Sequence, residues 1–194
     1  MRIPLRSGAW LDYDAHWLPS DEADQALTGL RAELQWEQRE IVVLGRRILQ
    51  PRLIAWAGEL PYRYSGQTLE PRPFTETARR MLAMVSAHAG GAFNHVLLNR
   101  YRSGEDSMGL HSDAEPELGP DPLVAIASFG IARRLVIKPR RKDDRERHAL
   151  SLGHGALLVM GGTCQRHYVH GIPRQPGLRG ERISLTFRHL LRAP

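Results

Sequence analysis

His111 and Asp113 stand two positions apart, followed downstream by Tyr-Val-His-Gly-Ile-Pro at 168–173 and Arg-Ile-Ser-Leu-Thr-Phe-Arg at 182–188. On an extended segment, residues two apart point the same way, so a His-x-Asp pair offers an imidazole and a carboxylate to one point in space. A third histidine from elsewhere completes one face of an octahedron. That is the donor set of a non-haem iron site, and it leaves three coordination positions open for chemistry.

Arg182 and Arg188 are six residues apart, an even spacing, so on a strand they share a face with Ser184 and Thr186. Two guanidinium forks on that face can converge on the two ends of a short diacid, because the planar fork binds carboxylate bidentately. Asn99 and Tyr101 alternate in the same way and offer an amide and a phenol to the same pocket.

These residues together resemble the AlkB family of Fe(II)- and 2-oxoglutarate-dependent dioxygenases, the oxidative nucleic-acid demethylases, nearest its human members numbered two and three. The resemblance runs from about Val43 to Leu190. It rests on Asn-Arg-Tyr at 99–101, His-Ser-Asp at 111–113, Val-His-Gly-Ile-Pro at 169–173 and the Arg-x5-Arg strand at 182–188. It implies His111, Asp113 and His170 as metal ligands, and Asn99, Tyr101, Arg182 and Arg188 as the residues that hold 2-oxoglutarate. Arg182 and Tyr101 would take the distal carboxylate and Arg188 the carboxylate beside the metal. Ser184 stands at a clamp position where some relatives have asparagine, and Thr186 joins it on the same face. His167 and His170 would face opposite ways on a strand, and the family's His-x-x-Pro context selects His170. His167 is left as a neighbour of the ligands or a surface group. His16, His88, His95, His148, His154 and His189 have no ligand partner in the pattern.

The resemblance further implies a substrate-gripping hairpin, with Val43 and Leu44 where relatives wedge an apolar residue into a duplex to help flip a nucleotide. Tyr62 and Tyr64 match aromatic positions that hold the flipped base. Glu115, two residues after Asp113, matches an acceptor for the base's exocyclic amino group. The implied reaction is Fe(II)-, 2-oxoglutarate- and O2-dependent hydroxylation of N-linked methyl groups in DNA, such as 1-methyladenine and 3-methylcytosine, releasing formaldehyde, succinate and CO2. RNA demethylation, or hydroxylation of a protein or small molecule, would keep the same iron site. A non-catalytic DNA-binding module is the reading that intact ligand and clamp residues argue against.

The elements that must hold these residues follow from periodicity. Ser20 is placed to cap a helix reaching Glu37, with Ala23, Leu27, Leu30 and Leu34 at helical spacing. A second helix from about Thr75 to His88 carries Ala78, Leu82 and Val85 and stops at Gly90 and Gly91. Between them, Ile41 to Leu49 reads as a hairpin around a Gly-Arg turn. From residue 93 the chain breaks into short extended runs punctuated by glycine and proline, which favours a sandwich or barrel. The expected fold is α+β: residues 1–92 supply helices and a nucleotide-recognition lid, and residues 93–194 a double-stranded β-helix of the jelly-roll type, all one domain.

With 194 residues and 42% hydrophobic content, one core is comfortable. A single cysteine, Cys164, excludes an internal disulfide and an all-thiolate metal site. No apolar run is long enough to cross a bilayer and the N-terminus lacks a secretory signal, so a cytosolic monomer with no membrane contact is expected. The formal charge of +6 and a pI near 10.1 favour a polyanionic partner. Arg140 to Arg147 mixes three acids among its bases and is as well explained by a solvated loop as by a DNA strand contact.

Overall fold

The computed structural model describes residues 1–43, 45–141 and 143–192, with the backbone alone for Val42 and Val43. Its major sheet orders seven strands as β1 (Arg2–Pro4), β2 (Trp10–Asp14), β13 (Ala156–Gly161), β10 (Val124–Gly130), β15 (Arg182–Arg188), β8 (His95–Tyr101) and β5 (Leu53–Gly58). A minor sheet orders β12 (His148–Leu152), β11 (Arg133–Pro139), β14 (Tyr168–Ile172) and β9 (Met108–His111). Two hairpins complete the strands: β3 (Glu40–Val43) with β4 (Arg46–Leu49), and β6 (Tyr62–Tyr64) with β7 (Gln67–Leu69). This is the expected jelly-roll class. The first ninety residues do more than supply helices and a lid, since β1, β2 and β5 are built into the major sheet itself.

Strand alternation separates two interiors. On β15, Ile183, Leu185 and Phe187 join Val96 and Leu98 of β8 and Ala125, Ala127 and Phe129 of β10 in one apolar cluster. Helices α1 (Ser20–Glu33) and α2 (Glu76–Ala89) cover that face with Ala26, Leu30, Met81 and Val85. The opposite face of the same strands turns Val124, Ile126 and Tyr101 toward Leu135, Ile137 and Ile172 of the minor sheet. Arg182, Ser184, Thr186 and Arg188 alternate with the apolar positions of β15, so all four are buried between the sheets.

The second helix is capped as its sequence demands: Thr75 accepts from the Ala78 amide, and Gly90 ends it in a left-handed conformation (φ 66°) that a side chain disfavours. The first helix differs at both ends from its periodicity. Pro19 holds the capping position and its carbonyl accepts from the Ala23 amide, so Ser20 already lies in the first turn and makes no capping bond. The helix stops at Glu33 because Leu34 is extended (φ −97°, ψ 140°), which frees Glu37 to bridge Ile54 of β5. The 40–49 hairpin forms as read. Leu44 lies outside the described residues, as does the side chain of Val43.

Arg133 shows how the minor sheet is tied to the loops beside it. Fully buried, it donates to the carbonyls of Ser103 (2.8 Å), Asp106 (2.8 Å) and Pro173 (2.9 Å). Those carbonyls belong to the segments that lead into β9 and out of β14. Replacing Arg133 with Met leaves three buried acceptors unpaired and is expected to cost roughly 3 kcal/mol or more. Urea unfolding of the variant would measure it, and a loss below about 1 kcal/mol would mean that solvent reaches those carbonyls.

Candidate metal centre and co-substrate cavity

β14 and β9 pair so that His170 lies directly across from His111, with a bulge between His170 and Ile172. The close approach depends on Gly171, where a Cβ would sit 2.9 Å from the carbonyl oxygens of both Met108 and Gly109. The two imidazoles consequently face each other with centroids 4.4 Å apart. His111 Nδ1 lies 2.9 Å from the Gly109 carbonyl; an Nδ1–H donated there leaves Nε2 as the ligand atom.

Asp113 is reached differently from a simple strand alternation. β9 ends at His111, and Asp113 is pinned beyond it by two side chains: Gln165 Oε1 accepts from its amide at 3.0 Å, and Arg188 grips its carboxylate. Arg188 Nη2 and Nε both donate to Oδ1, at 2.6 and 3.0 Å. Oδ2 is buried with no hydrogen-bond partner, 3.7 Å from His170 Nε2. Ligand atoms of His111, Asp113 and His170 lie within 4.8 Å of one another. Burial alone would raise the Asp113 carboxyl, but the Arg188 guanidinium beside it outweighs burial and holds it at about 2. Burial pulls His170 down to about 3, keeping the imidazole neutral and its lone pair available. An orphaned carboxylate oxygen facing two imidazoles fits a divalent cation of the iron type. His167, on the short helix α3 (Cys164–His167), is exposed and takes no part.

One cavity adjoins this cluster, lined by His111 and His170 together with Asn99, Tyr101, Arg182, Ser184 and Thr186. Register explains the convergence: Arg182 is opposite Tyr101 and Ser184 opposite Asn99 across β15 and β8. Arg182 is fully buried, its Nε donates to Ser128 Oγ at 2.8 Å, and its guanidinium carbon lies 5.3 Å from the Tyr101 ring centre. No carboxylate among the described residues pairs with it. Burial therefore pulls its guanidinium down to about 10, against the opposing influence of Tyr101. A buried cation lacking a counter-charge is costly until an anion arrives. Tyr101 meanwhile directs its hydroxyl to Met108 Sδ at 3.7 Å, a weak acceptor that a carboxylate would displace.

Arg188 is not in the cavity wall but behind Asp113, so its first partner is one of the three candidate metal ligands. Tyr62 and Tyr64 are buried in an apolar cluster with Ile54, Trp56, Leu69 and Leu97 rather than displayed as open stacking faces. Glu115 is partly buried, and its Oε2 has no hydrogen-bond partner. Burial and the neighbouring Asp113 charge raise its carboxyl above the usual range.

Several participants escaped the sequence reading. Ser128 shares the phase of Val124 and Ile126 on β10, so alternation could have found it. Gln165, Arg52 and His95 carry no local signal. His95 packs its ring 4.7 Å from that of Tyr62 with neither nitrogen paired, and burial, aided by the charge of Arg188, depresses it to about 3. An unfolded histidine titrates near about 6.5. Below that pH the unfolded chain binds a proton that the native state refuses, so stability falls on acidification until about pH 3. Relative to a His95→Phe variant, the protein should lose about 2 kcal/mol between pH 7 and pH 5. Urea midpoints at the two pH values test this, and a gap independent of pH would show His95 to be protonated or solvated.

Known proteins agree with this geometry. The pattern of the 2OG-Fe(II) oxygenase superfamily matches residues 11–188. Alpha-ketoglutarate-dependent dioxygenase alkB homolog 3 of Bos taurus is 40% identical over 175 residues, covering 86% of this chain and 61% of that protein. DNA oxidative demethylase ALKBH2 of Homo sapiens is 36% identical over 183 residues, covering 88% of this chain and 69% of that protein. The chain thus spans about three-fifths of the length of the homolog 3 proteins it matches. A solved structure titled "The structure of OsALKBH1" superposes with a TM-score of 0.67 over 97% of this chain and all of that one, at 16% identity, and shares the fold. The metal cluster, the diacid cavity and these relationships lead to one conclusion: the chain belongs to the 2-oxoglutarate- and Fe(II)-dependent oxygenase superfamily, in its AlkB branch.

Proposed function

We propose that the protein is an oxidative demethylase of N-alkylated bases in DNA. The observation that carries the reading is one cavity that joins a two-histidine, one-carboxylate cluster to Arg182, a buried guanidinium without a carboxylate partner among the described residues. His111, Asp113 and His170 would hold Fe(II), and Arg182, Tyr101 and Asn99 would hold 2-oxoglutarate. Together these cofactors supply an oxidation by O2 that hydroxylates a methyl carbon, with succinate and CO2 as co-products.

The chain's own residues then have separable tasks. Arg188 fixes one oxygen of Asp113 and leaves the other for the metal. Arg182 supplies the charge that draws the distal end of the diacid into a buried cavity, where a charge-assisted hydrogen bond is strong. Glu115 sits beside Asp113 as an acceptor for an exocyclic amino group, the feature common to adenine and cytosine. Tyr62 and Tyr64 anchor the β6–β7 hairpin to the apolar cluster below it.

Features outside the cavity support a nucleic-acid substrate. The β4 strand leaves Arg46, Arg47, Ile48 and Leu49 exposed, a pairing of cationic and apolar groups suited to a phosphate-flanked base step. Arg140 donates to Ser112, between two metal ligands, and so links the basic segment that follows β11 to the centre. The relative named DNA oxidative demethylase favours DNA over other polymers.

The test is anaerobic loading with Fe(II) and 2-oxoglutarate, then O2, with 3-methylcytosine in single-stranded and duplex oligonucleotides, followed by mass spectrometry. Restored cytosine, formaldehyde and succinate are expected in equal amounts. Succinate without demethylation would overturn the DNA substrate and direct the search to RNA or protein, whereas no succinate under any condition would overturn the dioxygenase.

A further inference from the structure

We propose that Arg52 is a positioning residue that couples the co-substrate cavity to the aromatic hairpin. It lies in the short link between β4 and β5 and is 5% exposed. Its three nitrogens reach three different elements. Nε donates to Asn99 Oδ1 at 2.6 Å on β8, Nη1 to the Ser107 carbonyl at 3.2 Å just before β9, and Nη2 to the Tyr64 hydroxyl on β6. The neighbouring Pro51 carbonyl accepts from the Ser107 amide at 3.1 Å, so Ser107 is held from both sides. No carboxylate among the described residues pairs with Arg52.

Chemistry turns these contacts into constraints. A guanidinium has donors and no acceptor, so the end of the Asn99 amide facing Arg52 must be the oxygen. The amide nitrogen, a donor, is then the free end of a side chain that lines the cavity. The Tyr64 oxygen likewise accepts from Arg52 and keeps its own proton to give away. Each group is poised by the same cation, and burying that cation among neutral acceptors is expensive for a purely structural tie. Lysine cannot replace it, because the three donors of an ammonium sit on one nitrogen and do not span acceptors on three elements.

A ligand that hydrogen-bonds Asn99 therefore stiffens Arg52 and, through it, Tyr64, and a base that engages the β6–β7 hairpin carrying Tyr64 stiffens Asn99 in return. Such coupling is reciprocal by thermodynamic necessity. The nucleic-acid arm of this inference rests on the function proposed above, while the co-substrate arm stands without it.

The experiment uses Mn(II)-loaded protein and two readouts. Calorimetry gives the affinity for 2-oxoglutarate in the parent, Arg52→Lys, Asn99→Ala and the double variant. Arg52→Lys should weaken binding roughly tenfold, the expected scale for a misplaced buried hydrogen bond, and should add nothing further in the Asn99→Ala background. Tyr64→Phe keeps the ring and lies outside the cavity wall, yet should also weaken 2-oxoglutarate by about threefold; it remains informative if Arg52→Lys does not fold. Fluorescence anisotropy with a single-stranded 3-methylcytosine oligonucleotide should show 2-oxoglutarate tightening the parent roughly tenfold and Arg52→Lys not at all. Parent-like 2-oxoglutarate affinity in both Arg52→Lys and Tyr64→Phe, or losses that multiply in the double variant, overturns the coupling. An oligonucleotide that fails to bind the parent counts against the DNA reading, and calorimetry still decides the role of Arg52.

Discussion

The structure turns on how one buried carboxylate is shared. Asp113 is 2% exposed and Arg188 1%. A carboxylate in such a place needs a counter-charge, and a single salt bridge in good geometry supplies it. Arg188 directs two donors to the same oxygen, so Oδ1 is saturated while Oδ2 is left bare between His111 and His170. A buried acceptor without a partner costs about 1–3 kcal/mol. The protein carries that cost at the one point where a divalent cation would offset it. Everything nearby serves this asymmetry: Gly171 lets the two histidine strands close up, Gln165 pins the Asp113 backbone, and β15 delivers Arg188 from behind.

A second asymmetry lies further along the same strand. Arg182 is buried as deeply as Arg188 but is matched by a serine and a tyrosine instead of a carboxylate. One end of β15 therefore carries a charge already neutralised and the other a charge awaiting its anion. A diacid held by a metal at one end would find Arg182 in the same cavity for the other, so a single strand would serve both ends of the molecule. Burial is what gives each charge its selectivity, because solvent would otherwise screen both.

Much of this was legible in the chain. The period of two groups Asn99 with Tyr101, and Arg182 with Ser184, Thr186 and Arg188; the structure lines one cavity with all of these except Arg188, which stands behind Asp113. The strands after residue 93 and the 40–49 hairpin also follow from local pattern. Other features did not, for physical reasons. Ser20 lost the capping role because Pro19 already has the extended backbone the position requires. β9 ended before Asp113 because two long-range side chains, not a ladder, fix that residue. Tyr62 and Tyr64 read as base platforms yet are packed inward, since an aromatic ring satisfies a core as readily as a ligand. Arg52 and Gln165 matter through partners 47 and 52 residues away, a separation that no local periodicity encodes.

Asp113 Oδ2, buried without a partner, is the point at which a metal would bind. Titration of Mn(II) into metal-free protein, read by electron paramagnetic resonance, tests it most directly, with Asp113→Asn preserving an acceptor for Arg188 while removing the charge. One ion per chain is predicted for the parent, and Asp113→Asn and His170→Gln should each weaken it by roughly a hundredfold or more while keeping the parent circular dichroism. Parent-like, one-to-one binding in both variants would contradict the assignment.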